Sequence, residues 1–286
     1  MHYETAQACT EKFVVQRDVR LMDYASTLAA CIGEPFAAVV LTTFGSAYAA
    51  WAYRGCATLP TVIPISDLGL EGAPALIFCY GLLAGGSLLA KAELRTHRIR
   101  HALLSTGKAG RLIVWAGRTT AGLGVLAAVF LSALGFCPWH RRTLAHLVCA
   151  FGIFLLSPMW AAICRLVLTR CCKLASNGES RSVVVAMRVN ALVFAAFLLS
   201  CCGFFRHVFS RVGNQEKTMA RLSMVRATAL DDFETHCTVS WPGVSQEVFV
   251  FEWAMVLTLV VFVGSLRVVQ ERVFSADMAR EATKNR

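Results

Sequence analysis

Charged residues are scarce in this chain of 286 residues, at 16% of the sequence. Soluble domains typically carry about 25% charged residues, so the scarcity argues against a soluble fold. Apolar residues make up 56% of the chain, and the mean hydropathy is +0.56. This composition predicts an integral membrane protein. The net charge of +10 then calls for asking on which side of the membrane the basic residues lie. In a membrane protein this charge does not indicate nucleic-acid binding, and no nucleic acid is expected as a partner.

The sequence also lacks the common signatures of catalytic and nucleotide-binding sites. It has no G-x-S-x-G, H-E-x-x-H, Walker or G-x-G-x-x-G motif, which speaks against the hydrolases, zinc peptidases and nucleotide-binding enzymes that carry them. No Asn-x-Ser/Thr sequon occurs, so N-glycosylation is not expected. We therefore predict no catalytic residue, no cofactor and no metal ligand set from motifs alone.

Long apolar runs are what the sequence does contain. A helix crosses the hydrocarbon core with about 17–25 apolar residues, and such runs are expected at 35–53, 73–90, 112–136, 144–168, 189–205 and 248–266. The prediction is an all-α fold, a six-span transmembrane helical bundle within 35–266. It has an N-terminal segment 1–34, a long lumenal loop 206–247 and a C-terminal tail 267–286.

The distribution of basic residues predicts the orientation of this bundle. Lys and Arg concentrate in the segments 91–111, 165–188 and 267–286, which alternate connections place on one side. Because cytosolic segments carry the excess of Lys and Arg, both termini are predicted to be cytosolic.

Small residues at helical spacing predict how the spans pack. Gly81 and Gly85 have the GxxxG spacing that allows two helix backbones to approach closely. A longer stripe of small residues follows in the third span: Ala116, Thr120, Gly124, Ala128 and Ser132. These faces are expected to pack within the chain, and homodimerisation is the alternative.

Three ionisable residues are predicted to meet at the lumenal boundary of the bundle: Asp67, His146 and Glu252. Ionisable groups at membrane depth mark functional sites by default because burying them is costly. A histidine with two carboxylates could perform acid–base chemistry, hold a metal or bind a lipid headgroup. The alternative is a structural cluster of hydrogen bonds that ties the lumenal loop to the helix ends.

Cysteines suggest two further features. Cys171 and Cys172 follow the fourth span among basic residues, a position typical of S-palmitoylation, and the alternative is an unmodified reduced pair. Other cysteines fall on or near the predicted lumenal side, where a disulfide could form without the sequence settling its connectivity. They are Cys56, Cys137, Cys201, Cys202 and Cys237.

The loop after the first span reads Pro-Ile-Ser-Asp-Leu-Gly from Pro64 to Gly69, followed by Pro74. In this position it resembles the loop of the Frag/DRAM/Sfk superfamily, the damage-regulated autophagy modulators and GPI-anchor lipid-remodelling proteins. His146 at the fourth span and the pair Glu252-Trp253 at the sixth are similar to further family positions. With this resemblance, Ser66 and Asp67 are expected to cap the loop and to hold it against the bundle.

The resemblance implies a multi-pass protein of an endomembrane (Golgi, ER or lysosome) or of the plasma membrane. The implied function is a non-enzymatic organiser or regulator of membrane lipids, autophagy or membrane trafficking. Its expected partners are membrane lipids and a partner membrane protein. The alternative is a lipid-modifying enzyme, or its partner, in GPI-anchor lipid remodelling. A transporter is the third hypothesis, disfavoured because the spans are polar mainly at their ends.

Overall fold

The computed structural model of the chain describes residues 22–54, 63–104, 110–174, 181–209, 225, 227–229 and 246–284. Within these residues every regular element is a helix. In chain order they are α1 (22–32), α2 (Pro35–Tyr53), a 3-10 helix (Ile65–Gly69), α3 (Gly72–Leu104), α4 (Arg111–Gly135), α5 (Thr143–Leu174), α6 (Arg181–Phe209) and α7 (Gln246–Lys284).

Six of these helices, α2 to α7, are long and apolar enough to cross a membrane. The predicted all-α, six-span fold is therefore confirmed, and the chain is a multi-pass membrane protein. Which side of the membrane holds the termini stays a prediction. Most of the predicted lumenal loop lies outside the described residues.

The first span begins where the sequence predicts it, and the structure gives the reason. Glu34 caps α2 by accepting hydrogen bonds from the backbone N–H groups of Phe36, at 2.9 Å, and Ala37, at 3.3 Å. Pro35 occupies the first turn, where its missing N–H costs nothing. These groups satisfy donors that would otherwise be orphaned at the helix start.

Several helices extend beyond the predicted spans. The second span was expected to end near residue 90, but α3 continues as helix to Leu104. Likewise α5 includes Cys171 and Cys172, which were placed in a connection after the span. The predicted second span ended before the charged residue Lys91, and the predicted fourth span ended two residues before Arg170. A helix can continue past charges that are paired or solvated.

Small residues bring the helices together within the chain, as predicted. The α-carbon of Gly85 lies so close to α2 that an added β-carbon would sit 2.8 Å from Val40 Cγ2, and Gly81 faces Thr43 in the same way. On α4, a β-carbon at Gly135 would sit 2.8 Å from the carbonyl oxygen of Cys79 on α3. The small-residue faces are thus occupied by neighbouring helices of the same molecule.

The bundle has two chemically different ends. We call one the Asp67 end: it holds the 3-10 helix, the α4–α5 connection and the start of α7. We call the other the Arg267 end: it holds α1, the last turns of α3 and the start of α6. Between them lies an aromatic and aliphatic core, in which Phe197 and Phe262 stack at 6.4 Å and Phe44 meets Trp253 edge-on at 5.7 Å.

Candidate functional site

The 3-10 helix forms the base of the site at the Asp67 end. Pro64 precedes it, and the N–H of Asp67 donates to the Pro64 carbonyl at 3.1 Å. The Asp67 side chain is fully buried and accepts a hydrogen bond from Trp139 Nε1 at 3.2 Å. Because Trp139 belongs to the α4–α5 connection, Asp67 ties two connections of the bundle to each other.

The start of α7 holds the same loop from the other side. Glu252 Oε2 accepts a hydrogen bond from the backbone N–H of Ile65 at 3.4 Å. The next residue, Trp253, donates from Nε1 to the Ile63 carbonyl at 2.8 Å. The loop therefore reaches α7 through two adjacent side chains, and the predicted link between Glu252, Trp253 and the loop is present.

His146 lies one turn into α5 at the same end. Its Nδ1 is 2.7 Å from the carbonyl oxygen of Cys137. A carbonyl oxygen can only accept, so Nδ1 carries the proton in this contact. In the neutral ring Nε2 is then a hydrogen-bond acceptor. The imidazole is thus fixed by its own chain, with its other nitrogen available to a ligand.

A cavity of about 230 Å³ opens beside these residues. Ser66, His146 and Glu252 lie at one end of it, and apolar side chains from α2, α3, α4, α5, α6 and α7 form its walls. Gly124, Trp160 and Val263 line the other end. Of the residues that the structure describes, no Lys, Arg or Asp lines this cavity.

The length of the cavity follows from helix geometry. Its wall on α7 runs from Glu252 to Val263, and its wall on α3 from Phe78 to Leu89. At about 1.5 Å per residue, each wall is about 16 Å long. The hydrocarbon core of a bilayer is about 30 Å thick, so the cavity is as long as one leaflet is deep.

The predicted cluster divides into two parts. Ser66, His146 and Glu252 share the cavity. Asp67 and Trp253 instead bond to the chain around the loop and do not line the cavity. In the described part of the chain, no group of three His, Cys, Asp or Glu side chains could hold a metal ion.

The cysteines of the predicted modification sites are placed as follows. Cys171 and Cys172 are both buried in the bundle, and Cys172 Sγ lies 3.7 Å from Met187 Sδ. Neither thiol is on an accessible surface, a placement that disfavours palmitoylation. Of the cysteines weighed for a disulfide, Cys137, Cys201 and Cys202 are free, and Cys56 and Cys237 lie outside the described residues.

Sequence reasoning missed a buried ion pair on α3. Glu93 and Arg100 are 4% and 2% exposed, and Arg100 Nη2 lies 2.9 Å from Glu93 Oε2. The segment 91–111 was predicted to be a basic connection between two spans, whereas the structure places Glu93 and Arg100 inside α3. A spacing of seven residues, two helical turns, was the available signal.

Further polar contacts join the helices at and towards the Arg267 end. Arg267 Nη1 lies 3.4 Å from Glu34 Oε1, which links α7 to the cap of α2. Asn190 on α6 accepts from Arg165 on α5 at 2.6 Å and donates to Ser265 on α7 at 2.8 Å. These contacts pair the polar groups of α5, α6 and α7 with one another.

Comparison of the chain with protein-family models, with curated proteins and with solved structures finds no match. The resemblance to the Frag/DRAM/Sfk superfamily stays a prediction.

Proposed function

We propose that this membrane protein binds the chain of a lipid in the cavity and acts as a non-enzymatic organiser or regulator of membrane lipids. The observation that carries the proposal is a mainly apolar cavity, about 16 Å long, whose ionisable lining residues, His146 and Glu252, lie together at one end. A lipid has the same division, with an apolar chain and a polar head. Burial of each methylene contributes about 0.8 kcal/mol, so even part of a chain binds appreciably.

The proposal is tested with the full-length protein, purified in detergent, and a photoreactive fatty-acyl probe. Leu259→Trp fills the cavity, because Leu259 lines it. Leu257→Trp is the matched control, since Leu257 is on the same helix, is 37% exposed and does not line the cavity. We expect Leu259→Trp to lower labelling about tenfold, a loss of about 1.4 kcal/mol. Equal labelling of the two variants would refute the proposal.

A second candidate function is lipid modification, for example in GPI-anchor lipid remodelling. It is favoured by His146 and Glu252 lining one cavity, since an imidazole acceptor and a carboxylate are the usual groups of acid–base catalysis. Binding tolerates Glu252→Gln in part, whereas proton transfer by Glu252 does not.

Lipid analysis of cells lacking the protein separates the two functions. The cells are rescued with the wild type, with Glu252→Gln or with His146→Ala, and the acyl composition of their GPI anchors is measured. An altered profile restored only by the wild type favours the enzyme. An unchanged profile, with other phenotypes rescued by Glu252→Gln, favours the organiser. Flux of lipid or solute in liposomes containing the purified protein would instead favour a transporter.

The cellular setting proposed with this function is an endomembrane (Golgi, ER or lysosome) or the plasma membrane, with the Arg267 end in the cytosol. The Arg267 end carries exposed basic residues of α3 and α6, among them Lys91, Arg95, Arg98, Arg181 and Arg188. Cytosolic loops are enriched in such residues. Protease protection of terminal tags in intact cells tests this orientation, and fluorescence microscopy tests the compartment.

A further inference from the structure

The polar end of the cavity restricts the headgroup that a bound lipid can have. Glu252 presents a carboxyl group, and His146 presents an acceptor nitrogen because its other nitrogen donates to the Cys137 carbonyl. Ser66 adds a hydroxyl, which can donate or accept. The described lining thus offers mainly acceptors, and its acidic side chain has no basic neighbour in the wall.

Basic residues do occur at this end, but they face outward. Arg54, Arg141 and Arg142 are exposed and do not line the cavity. Within the described lining, a phosphate or carboxylate head would therefore meet the carboxyl group of Glu252 and no cation. Burying an anion without a counter-charge is unfavourable.

A cationic head would instead interact favourably with these groups. An alkylammonium group carries a positive charge at neutral pH and donates hydrogen bonds without accepting any. It would pair with the ionised carboxylate of Glu252, which accepts one hydrogen bond from the Ile65 N–H, and donate to His146 Nε2. The chain behind the head would then lie along the apolar walls.

The dimensions of the cavity restrict the number of chains. Pockets for drug-sized ligands measure about 300–1,000 Å³, whereas this cavity has about 230 Å³. Trp160 and Gly124 line its far end. This space is suited to one chain of about leaflet depth.

From these observations we propose that the cavity selects a single-chain lipid with an amine head, the class of the long-chain amines and amino alcohols, over lipids with an acidic head. The inference rests on the proposed lipid-binding function. It adds that Glu252 is the group that recognises the head, and it requires no chemical conversion of the lipid.

The test is a competition experiment on the full-length protein with three C16 lipids that differ only in the head: hexadecylamine, hexadecanol and hexadecanoic acid. Each displaces the photoreactive acyl probe. We expect the amine to compete about tenfold better than the acid, with the alcohol between them. Competition by the acid equal to or better than that by the amine would overturn the inference.

Two variants test whether Glu252 causes the preference for the amine. Glu252→Gln removes the proposed head recognition, and we expect it to abolish the preference for the amine while the alcohol still competes. Glu247→Gln is the matched control, because Glu247 lies more than a turn earlier on α7 with 67% of its side chain exposed. Retention of the amine preference in Glu252→Gln would overturn the role of Glu252. The headgroup series on the unchanged protein remains decisive even where Glu252→Gln does not fold.

Failure of the inference is distinguishable from failure of the proposed function. If all three lipids compete equally and Leu259→Trp lowers probe labelling, the cavity binds chains and the amine inference is wrong. If Leu259→Trp and Leu257→Trp label equally, labelling reflects partition into detergent, and both proposals are wrong.

Discussion

The acidic residues at the two ends of the bundle have different kinds of partner. At the Arg267 end, Glu93 is buried against Arg100 at 2.9 Å, and Glu34 lies 3.4 Å from Arg267. At the Asp67 end, Asp67 and Glu252 accept hydrogen bonds from an indole and a backbone N–H. Among the described residues Glu252 forms no ion pair, and its side chain borders a cavity.

This difference separates a structural end from a functional end. Charges paired inside a bundle hold helices in place and are costly to separate. Carboxylates held by neutral donors keep the capacity to interact with a ligand that enters beside them. The comparison predicts that breaking the buried ion pairs at the Arg267 end affects mainly stability, and that changing the ionisable groups that line the cavity affects mainly binding.

The largest expected effect is at the buried ion pair. Arg100→Met leaves Glu93 buried without its partner, and we expect a loss of about 3–5 kcal/mol of stability. The double variant Glu93→Gln/Arg100→Met should recover most of that loss, because no unpaired charge remains. The measurement is thermal unfolding of the purified protein in detergent.

An exposed ion pair at the same end provides the control for this prediction. Asp23 and Arg181 lie 2.8 Å apart with 41% and 59% of their side chains exposed. Exposed pairs contribute about 0–1 kcal/mol, so Asp23→Asn should hardly change unfolding. If Arg100→Met is as mild as Asp23→Asn, the Arg267 end is not held by its buried charges.

The next effect is expected at Gly124, where the cavity meets the ion pair. A β-carbon there would lie 2.8 Å from Glu93 Cδ and 3.0 Å from Trp160 Nε1. We expect Gly124→Ala to destabilise the protein by about 1–3 kcal/mol through overpacking. Gly122 on the same helix has nothing within 4 Å of its β-carbon position, and Gly122→Ala should be neutral or slightly stabilising.

Thermal unfolding of both glycine variants decides this prediction. A larger loss for Gly122→Ala than for Gly124→Ala would show that α4 does not pack against Glu93 and Trp160 as described.

A smaller effect is expected at the Asp67 end. Trp139→Phe removes the indole donor to Asp67 and should cost about 0.5–1.5 kcal/mol, the usual net contribution of a hydrogen bond. The loss should be local, because the bond ties one connection to another. Hydrogen exchange of the backbone amides in 65–70 should therefore speed up more than exchange in α6.

Trp115→Phe is the matched control for that variant, since Trp115 on α4 is 65% exposed. If hydrogen exchange at 65–70 is unchanged in Trp139→Phe, then Asp67 does not position the loop.

The smallest expected effect concerns thiol reactivity and does not involve stability. Cys202 is exposed, whereas Cys171 and Cys172 are buried. A membrane-permeant maleimide should modify Cys202 in the native protein well before the other two, as peptide mass spectrometry of a time course would show. Equal rates would restore Cys171 and Cys172 as accessible sites for acylation.

Much of the fold was predictable from the sequence because span length is a local property. The first span, 35–53, was predicted with the bounds that the structure has, since Pro35 marks its start. The end of α3 was not predictable in the same way. Glu93 and Arg100 are charged residues, so their sequence alone does not indicate a buried helix. Only their contact across two helical turns shows that the segment remains inside the bundle.

The sequence by itself determined that the chain crosses a membrane in helices, because apolar runs of sufficient length can satisfy their backbone polar groups in lipid only as helices or closed barrels. It also determined which polar residues lie near one boundary. Only the tertiary structure decided that Glu252 borders the cavity while Asp67 faces Trp139. That division depends on contacts between residues far apart in the chain, which no local pattern encodes.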